Sequence, residues 1–227
     1  IFSIRSFGYI WRSDRLSKME RITIEQAQEL FGPNFIGWDE LKPLFERMEL
    51  PLSSIQIPDV HYSLDDLKNC SKHYILILGI PELGDKKLSI ANFRRCFGMN
   101  PDISEPCFYN QDWYMNEKFI HDTLDLRWYL LKKDAIESSR AVQPSELLKE
   151  RINFPRAILC VYTFFAYYHV RKELLWYHDF IWCHDIDHNG DRIYIGKYHD
   201  VDGVNKNGFS IHRHLALRNC YAAIEQI

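Results

Sequence analysis

Apolar residues in the first third of the chain recur at the spacing of amphipathic helices. The segment Thr23-Ile-Glu-Gln26 has the pattern of a capping box, in which each side chain accepts a hydrogen bond from the other residue's backbone N–H. Gly32 fits the end of that helix. A second helix is predicted over residues 38–48, and Ser63 predicts the start of a third. The N-terminal part is therefore expected to be rich in helices.

Segments dense in β-branched and aromatic residues predict strands in the rest of the chain. The predicted strands cover residues 73–79, 127–132, 157–169, 174–185, 192–198 and 209–217. The pair Asn189-Gly190 is a strong hairpin signal between two of them. We therefore predict an α+β fold with a helix-rich N-terminal part and a C-terminal antiparallel β-sheet, in which consecutive strands form a meander.

Changes in composition along the chain indicate its domain organisation. Residues 1–18 are interpreted as an upstream extension or an expression remnant. Residues 19–150 form a mixed α/β part, and residues 151–227 form a β-rich part. A single compact domain is the alternative, because the polar segment 134–155 between the two parts is not a typical linker.

Charge and cysteine content restrict the partners and the compartment. The chain has 28 basic and 31 acidic residues and a formal net charge of −3. Proteins that bind nucleic acid usually carry a basic surface, so nucleic acid is the less expected partner. The longest apolar run, residues 157–170, is shorter than the roughly 20 residues that cross a bilayer, and no membrane contact is expected. Six scattered cysteines without a CxxC pair favour reduced thiols and a cytoplasmic protein.

Histidine and aspartate residues are concentrated near the C-terminus, where seven of the ten histidines lie between positions 169 and 214. Side chains two positions apart on a strand share a face, so His212 and His214 are expected to project together, as in metal sites. Asp185, Asp187 and Asp200 are the candidates to complete the site. A divalent metal is the cofactor that this set would hold, although the sequence establishes no cofactor.

Two short motifs in this region resemble known sites. The segment His214-Leu-Ala216 is similar to the end of the catalytic motif of His-Me finger nucleases, which implies a nuclease with the histidine on a strand. Asp185-x-Asp-x-Asn-Gly-Asp191 resembles the first half of an EF-hand calcium loop. Gly196, however, stands where that loop needs a glutamate, and a hairpin whose polar residues satisfy the turn is the favoured interpretation.

Aromatic residues are the other unusual feature, with 33 among 227 residues. Tyrosine and tryptophan often form binding surfaces, and the candidates for such a face on the C-terminal sheet are Trp176, Trp182, Tyr194 and Tyr198. The favoured function is a binding or assembly module that uses an aromatic and histidine-rich sheet face, with an unknown protein or small molecule as partner. The alternative is a metal-dependent hydrolase, such as a nuclease, with a His/Asp site in the C-terminal part.

Overall fold

The computed structural model describes residues 22–197, 208–213 and 217–227. The proposed extension 1–18 lies outside these residues. Within them the chain contains both helices and strands, as the α+β prediction requires. The division into two parts at about residue 150 stays a prediction.

Six α-helices lie in the described residues. They are α1 (Ile24–Phe31), α2 (Trp38–Arg47), α3 (Leu64–Cys70), α4 (Ile90–Phe97), α5 (Pro144–Lys149) and α6 (Ala157–Arg171). The predicted capping box of α1 is confirmed, because the Gln26 N–H donates to Thr23 Oγ1 at 3.2 Å and the Thr23 N–H donates to Gln26 Oε1 at 2.9 Å. Ser63 caps α3 in the predicted position, with its hydroxyl oxygen 3.1 Å from the Asp66 N–H.

A first sheet of three strands lies in the N-terminal part of the fold. Its strands are β1 (Phe35–Ile36), β2 (Tyr74–Gly79) and β5 (Arg127–Lys132), while β3 (Glu82–Leu83) and β4 (Lys86–Lys87) form a separate small hairpin. The central strand β2 pairs parallel to β1 and antiparallel to β5. Every residue of β2 is buried, which explains its continuous apolar sequence. The predictions of strands at 73–79 and 127–132 are confirmed.

A second sheet of four strands forms the C-terminal part. Its strands are β6 (Phe180–Ile186), β7 (Arg192–Lys197), β8 (Phe209–Arg213) and β9 (Tyr221–Ala222), in the order β8-β7-β6-β9. The antiparallel order β6-β7-β8 agrees with the predicted meander, but β9 pairs parallel to β6, so the sheet is mixed. The outer edge of β8 is already covered, because the Tyr109 N–H donates to the Phe209 carbonyl at 2.9 Å and the Phe209 N–H donates to the Cys107 carbonyl at 2.8 Å. The meander therefore cannot add a strand there.

The prediction of a strand over residues 157–169 is wrong, since this segment forms the long helix α6. All residues from Ala157 to Tyr167 are buried, and a helix that is buried on every side has no polar face to reveal its period. The segment is also longer than a typical strand. β-propensity measures how well a residue packs on a pleated surface, and tertiary contacts override it here.

The strand predicted over 174–185 begins only at Phe180. Trp176 has a φ of +49°, a left-handed conformation that interrupts any extended strand. Its indole N–H donates to the Lys133 carbonyl at 3.0 Å, which holds the turn against the first sheet.

Helix α6 lies at the centre of the main hydrophobic core. Its side chains pack together with those of both sheets, and Tyr162 donates a hydrogen bond to the Leu78 carbonyl of β2 at 3.1 Å. A second, smaller core lies on the opposite face of the C-terminal sheet. Among the helices in the described ranges, none combines the length and apolar character needed to cross a membrane.

Candidate functional site

A segment that precedes β5 covers the edge of β8 and brings distant residues together. After the backbone pairing of residues 107–109 with Phe209, the Trp113 indole N–H donates to the Ile211 carbonyl at 3.0 Å. The close approach depends on Gly208, since a Cβ atom there would lie 2.3 Å from the carbonyl carbon of Phe108. This edge segment, residues 107–117, ends with Glu117 beside the hairpin that joins β6 to β7.

The predicted hairpin at Asn189-Gly190 is confirmed, and Asp187 organises its turn. Asp187 Oδ1 accepts hydrogen bonds from the backbone N–H groups of Asn189 at 2.9 Å and Asp191 at 2.8 Å. Gly190 has a φ of +87°, which glycine adopts at little cost. Asp187 of the calcium-loop motif thus accepts hydrogen bonds from backbone N–H groups of the turn, in agreement with the favoured interpretation of that motif as a hairpin.

Three potential metal ligands converge where the hairpin meets the edge segment. One ligand atom each from Glu117, Asp187 and His188 lies within 4.8 Å of the other two. His188 Nδ1 is 2.5 Å from Glu117 Oε1, and the His188 backbone N–H donates to Glu117 Oε2 at 3.1 Å. The side chains of Glu117 and Asp187 are 7% and 0% exposed, whereas that of His188 is 67% exposed. The cluster is therefore formed by two buried carboxylates with an imidazole at its solvent side.

The surroundings of Asp187 keep its carboxylate charged. Burial on its own raises the pKa of Asp187, but the N–H groups of Asp191 and Asn189 and the guanidinium of Arg213 outweigh that effect. The pKa of Asp187 consequently lies below its ordinary value. Arg213 Nη1 is 3.4 Å from Asp187 Oδ2, and its guanidinium lies 5.3 Å from the centre of the Trp113 ring.

Asp185, which the sequence predicted as a metal ligand, has its side chain at the start of helix α6 and is not part of the Glu117–Asp187–His188 cluster. Its Oδ2 accepts a hydrogen bond from the Ala157 N–H at 2.6 Å, at the start of α6, and burial raises its pKa. Between the pairs Trp182–Tyr194 and Ile186–Arg192, strand β6 has two residues more than β7. This bulge turns Asp185 toward the helix and away from the Glu117–Asp187–His188 cluster.

His212, the other described metal candidate, also lies apart from the cluster. It projects from the opposite face of β8 to Arg213 and stacks on Tyr194, with ring centres 5.4 Å apart. Gln111 Nε2 lies 3.1 Å from His212 Nδ1. Burial lowers the pKa of His212 to about 4, so the imidazole is neutral near pH 7. His214 and Asp200 fall outside the described residues.

Two of the four residues of the predicted aromatic face, Trp182 and Tyr194, share one side of the C-terminal sheet, where the protein's own chain covers them. Trp182 and Tyr194 line one side of the sheet and pack in the second core with Leu147 and Phe154. Trp176 is buried in the main core. Tyr198 lies outside the described residues. A binding face built from these four residues stays a prediction.

Sequence reasoning found the region and one ligand of the cluster but missed Glu117 and His188. His188 lies inside the recognised Asp187-His-Asn-Gly turn, and its position next to Asp187 was an available signal. Glu117 lies 70 residues before Asp187, in a segment without a metal-binding pattern. Only the pairing of the edge segment with β8 brings it to the turn.

The comparisons with known proteins add no further constraint on the site. No protein-family model, curated protein or solved structure matches this chain.

Proposed function

We propose that this protein binds a divalent metal ion through Glu117, Asp187 and His188. The observation that carries the proposal is the convergence of one nitrogen and two oxygen ligands within 4.8 Å. This set refines the His/Asp metal site expected from the sequence, and it retains Asp187 from that prediction. Imidazole and carboxylate donors together suit zinc or manganese better than calcium, which prefers oxygen ligands alone.

The cluster needs only a small rearrangement to accept an ion. Ligands about 2.1 Å from a tetrahedral zinc lie roughly 3.4 Å from one another. Glu117 Oε1 and His188 Nδ1, now 2.5 Å apart, must therefore separate by about 1 Å. Because His188 is largely exposed, its side chain has room to make this movement without disturbing the core.

The buried carboxylates supply an electrostatic reason to bind a cation. Glu117 and Asp187 place two acidic side chains close together, and both have little solvent exposure. Burying charge is costly unless a partner compensates it. In the structure His188 forms hydrogen bonds with Glu117 and the Arg213 guanidinium contacts Asp187, and a divalent ion would provide stronger compensation at the same point.

Metal-dependent hydrolysis of a substrate is a second candidate activity. The solvent-exposed side of the cluster, formed by His188, favours it. Three protein ligands with an exposed side leave at least one coordination position for water, which is the arrangement of catalytic rather than structural zinc sites. A metal-bound water is acidic enough to act as a nucleophile near neutral pH. Screening phosphodiesters and esters with the metal-loaded protein tests this candidate, and it fails if turnover is equal in wild type and His188→Ala.

Metal analysis of protein purified without a tag, chelator or added metal tests the binding proposal first. Titration with Mn²⁺ and with Zn²⁺, followed by calorimetry, then gives the stoichiometry and affinity. We expect one site per chain. His188→Ala and Glu117→Gln should each lower the affinity by at least about 10–100-fold, the loss caused even by removal of an outer partner of a metal ligand.

His184→Ala is the matched control, because His184 is an exposed histidine on the neighbouring strand β6 and outside the cluster. It should leave the affinity unchanged. Circular dichroism and thermal melting verify that each variant is folded. If His184→Ala and His188→Ala weaken metal binding equally, or if wild type binds no metal, the proposal is wrong.

A further inference from the structure

Arg213 adds a cationic group to the edge of the Glu117–Asp187–His188 cluster. Its side chain is 37% exposed, and the indole of Trp113 supports the guanidinium from one side. The contact from Nη1 to Asp187 Oδ2, at 3.4 Å, is longer than an ordinary hydrogen bond of 2.7–3.2 Å. A guanidinium has five N–H donors, so this contact leaves Arg213 able to bind a further acceptor.

From this arrangement we infer that the metal-loaded cluster and Arg213 together bind a small molecule carrying a singly charged oxyanion, a carboxylate or a phosphodiester. The inference rests on the proposed metal site. One oxygen of the ligand occupies the open coordination position of the ion. A second oxygen accepts a hydrogen bond from Arg213, whose guanidinium keeps N–H donors that the Asp187 contact does not use.

The charge of the loaded site sets the preference for a single negative charge. Metal ligands bind in their deprotonated form, so two carboxylates and a neutral imidazole hold the divalent ion. These charges cancel, and Arg213 leaves one net positive charge. A carboxylate or phosphodiester neutralises it, whereas a phosphate dianion leaves a residual negative charge among buried carboxylates.

The whole protein's charge favours a small ligand over a polymer. The formal net charge is −3, with acidic residues in excess of basic ones. A long polyanion would meet overall repulsion away from the site, since attraction to phosphate chains comes from several basic contacts. One metal ion and one arginine suffice for a single oxyanion group.

Water-proton relaxation of bound Mn²⁺ tests the inference without any substitution. Mn²⁺ held by three protein ligands keeps exchangeable water, and an oxyanion that displaces this water lowers the relaxation enhancement. We expect acetate or dimethyl phosphate to lower it in a saturable manner, and the comparison of the two anions identifies the preferred group. An enhancement that neither anion changes overturns the inference while leaving the metal site in place.

Arginine variants then test the second contact. Arg213→Gln should bind Mn²⁺ but lose about 10–100-fold in affinity for the anion, the range expected for one charged hydrogen bond. Arg213→Lys keeps the charge and, if Arg213→Gln proves poorly folded, tests whether the guanidinium itself is required. Arg95→Gln is the matched control, because Arg95 is an exposed arginine on α4 that bonds to Asn92.

The outcomes separate the two proposals. Wild type that binds no Mn²⁺ refutes both the metal site and the inference. Anion binding that is equal in Arg213→Gln and wild type, or that occurs equally without Mn²⁺, refutes the inference alone.

Discussion

Acidification should lower the free energy of unfolding because His212 is buried, and the pKa of His212 sets the size of the loss. Burial between the C-terminal sheet and its covering residues lowers the pKa of His212 to about 4, whereas histidine in an unfolded chain titrates near 6.5. Between these values the unfolded chain binds the proton and the folded chain does not. The contribution of His212 to stability is therefore fully present above about pH 6.5 and is lost as the pH falls toward 4.

The size of this effect follows from the two pKa values. From about pH 7.5 to about pH 5, the difference in proton binding removes roughly 2 kcal/mol from the free energy of unfolding. For a chain of this length that loss corresponds to a fall of about 4–8 °C in Tm. Other groups also titrate in this range, so the difference between wild type and a His212 variant isolates the effect.

His212→Asn is the appropriate variant, because an asparagine oxygen can replace Nδ1 as the acceptor for Gln111 and does not titrate. Urea denaturation at a series of pH values should show a pH dependence weaker by about 2 kcal/mol in His212→Asn. His121→Asn, at an exposed histidine, is the control and should follow wild type. Identical pH dependence in wild type and His212→Asn, or an NMR titration of His212 near pH 6.5, would refute the reasoning.

Three further predictions concern the turn at Asp187, the main core and the sheet edge. Asp187→Ala should cost about 2–4 kcal/mol by removing a charged acceptor from two backbone N–H groups; Asn189→Ala, which keeps its N–H, should cost much less in the same urea titration. Tyr162→Phe should lower the free energy of unfolding by about 1–2 kcal/mol, since it leaves the buried Leu78 carbonyl without this donor, and an unchanged urea midpoint would contradict that role. Gly208→Ala should cost about 1–3 kcal/mol by forcing the edge segment away from β8, and hydrogen exchange should show loss of protection in that segment first.

Local chemistry made several elements of this fold predictable. The capping box of α1, the start of α3 and the hairpin at Asn189-Gly190 depend on side chains that contact backbone groups a few residues away. The sequence window therefore contains both partners of each contact. Strands 73–79 and 127–132 were predictable for another reason. Each is a continuous apolar run whose length is that of a typical strand.

Helix α6 shows where local chemistry is insufficient. Val161, Tyr162 and Phe165 favour strands on an isolated pleated surface, yet the segment lies where both sheets supply apolar contacts around it. A helix satisfies its own backbone hydrogen bonds in that dry environment, whereas a strand would need a neighbour. The surrounding structure, which a sequence window does not contain, decides between the two.

The edge segment accounts for the position of Glu117 and covers the outer strand of the C-terminal sheet. Residues 107–109 pair with the outer edge of β8, and that pairing prevents β9 from extending the meander there. The same pairing continues through Trp113 and places Glu117 against His188, so the Glu117–Asp187–His188 cluster lies at the turn between β6 and β7. The position of Glu117 in the candidate site thus depends on the non-local contact between the edge segment and β8. A substitution at Gly208 that loosens this contact should accordingly weaken metal binding as well as the sheet edge, although Gly208 is not a ligand.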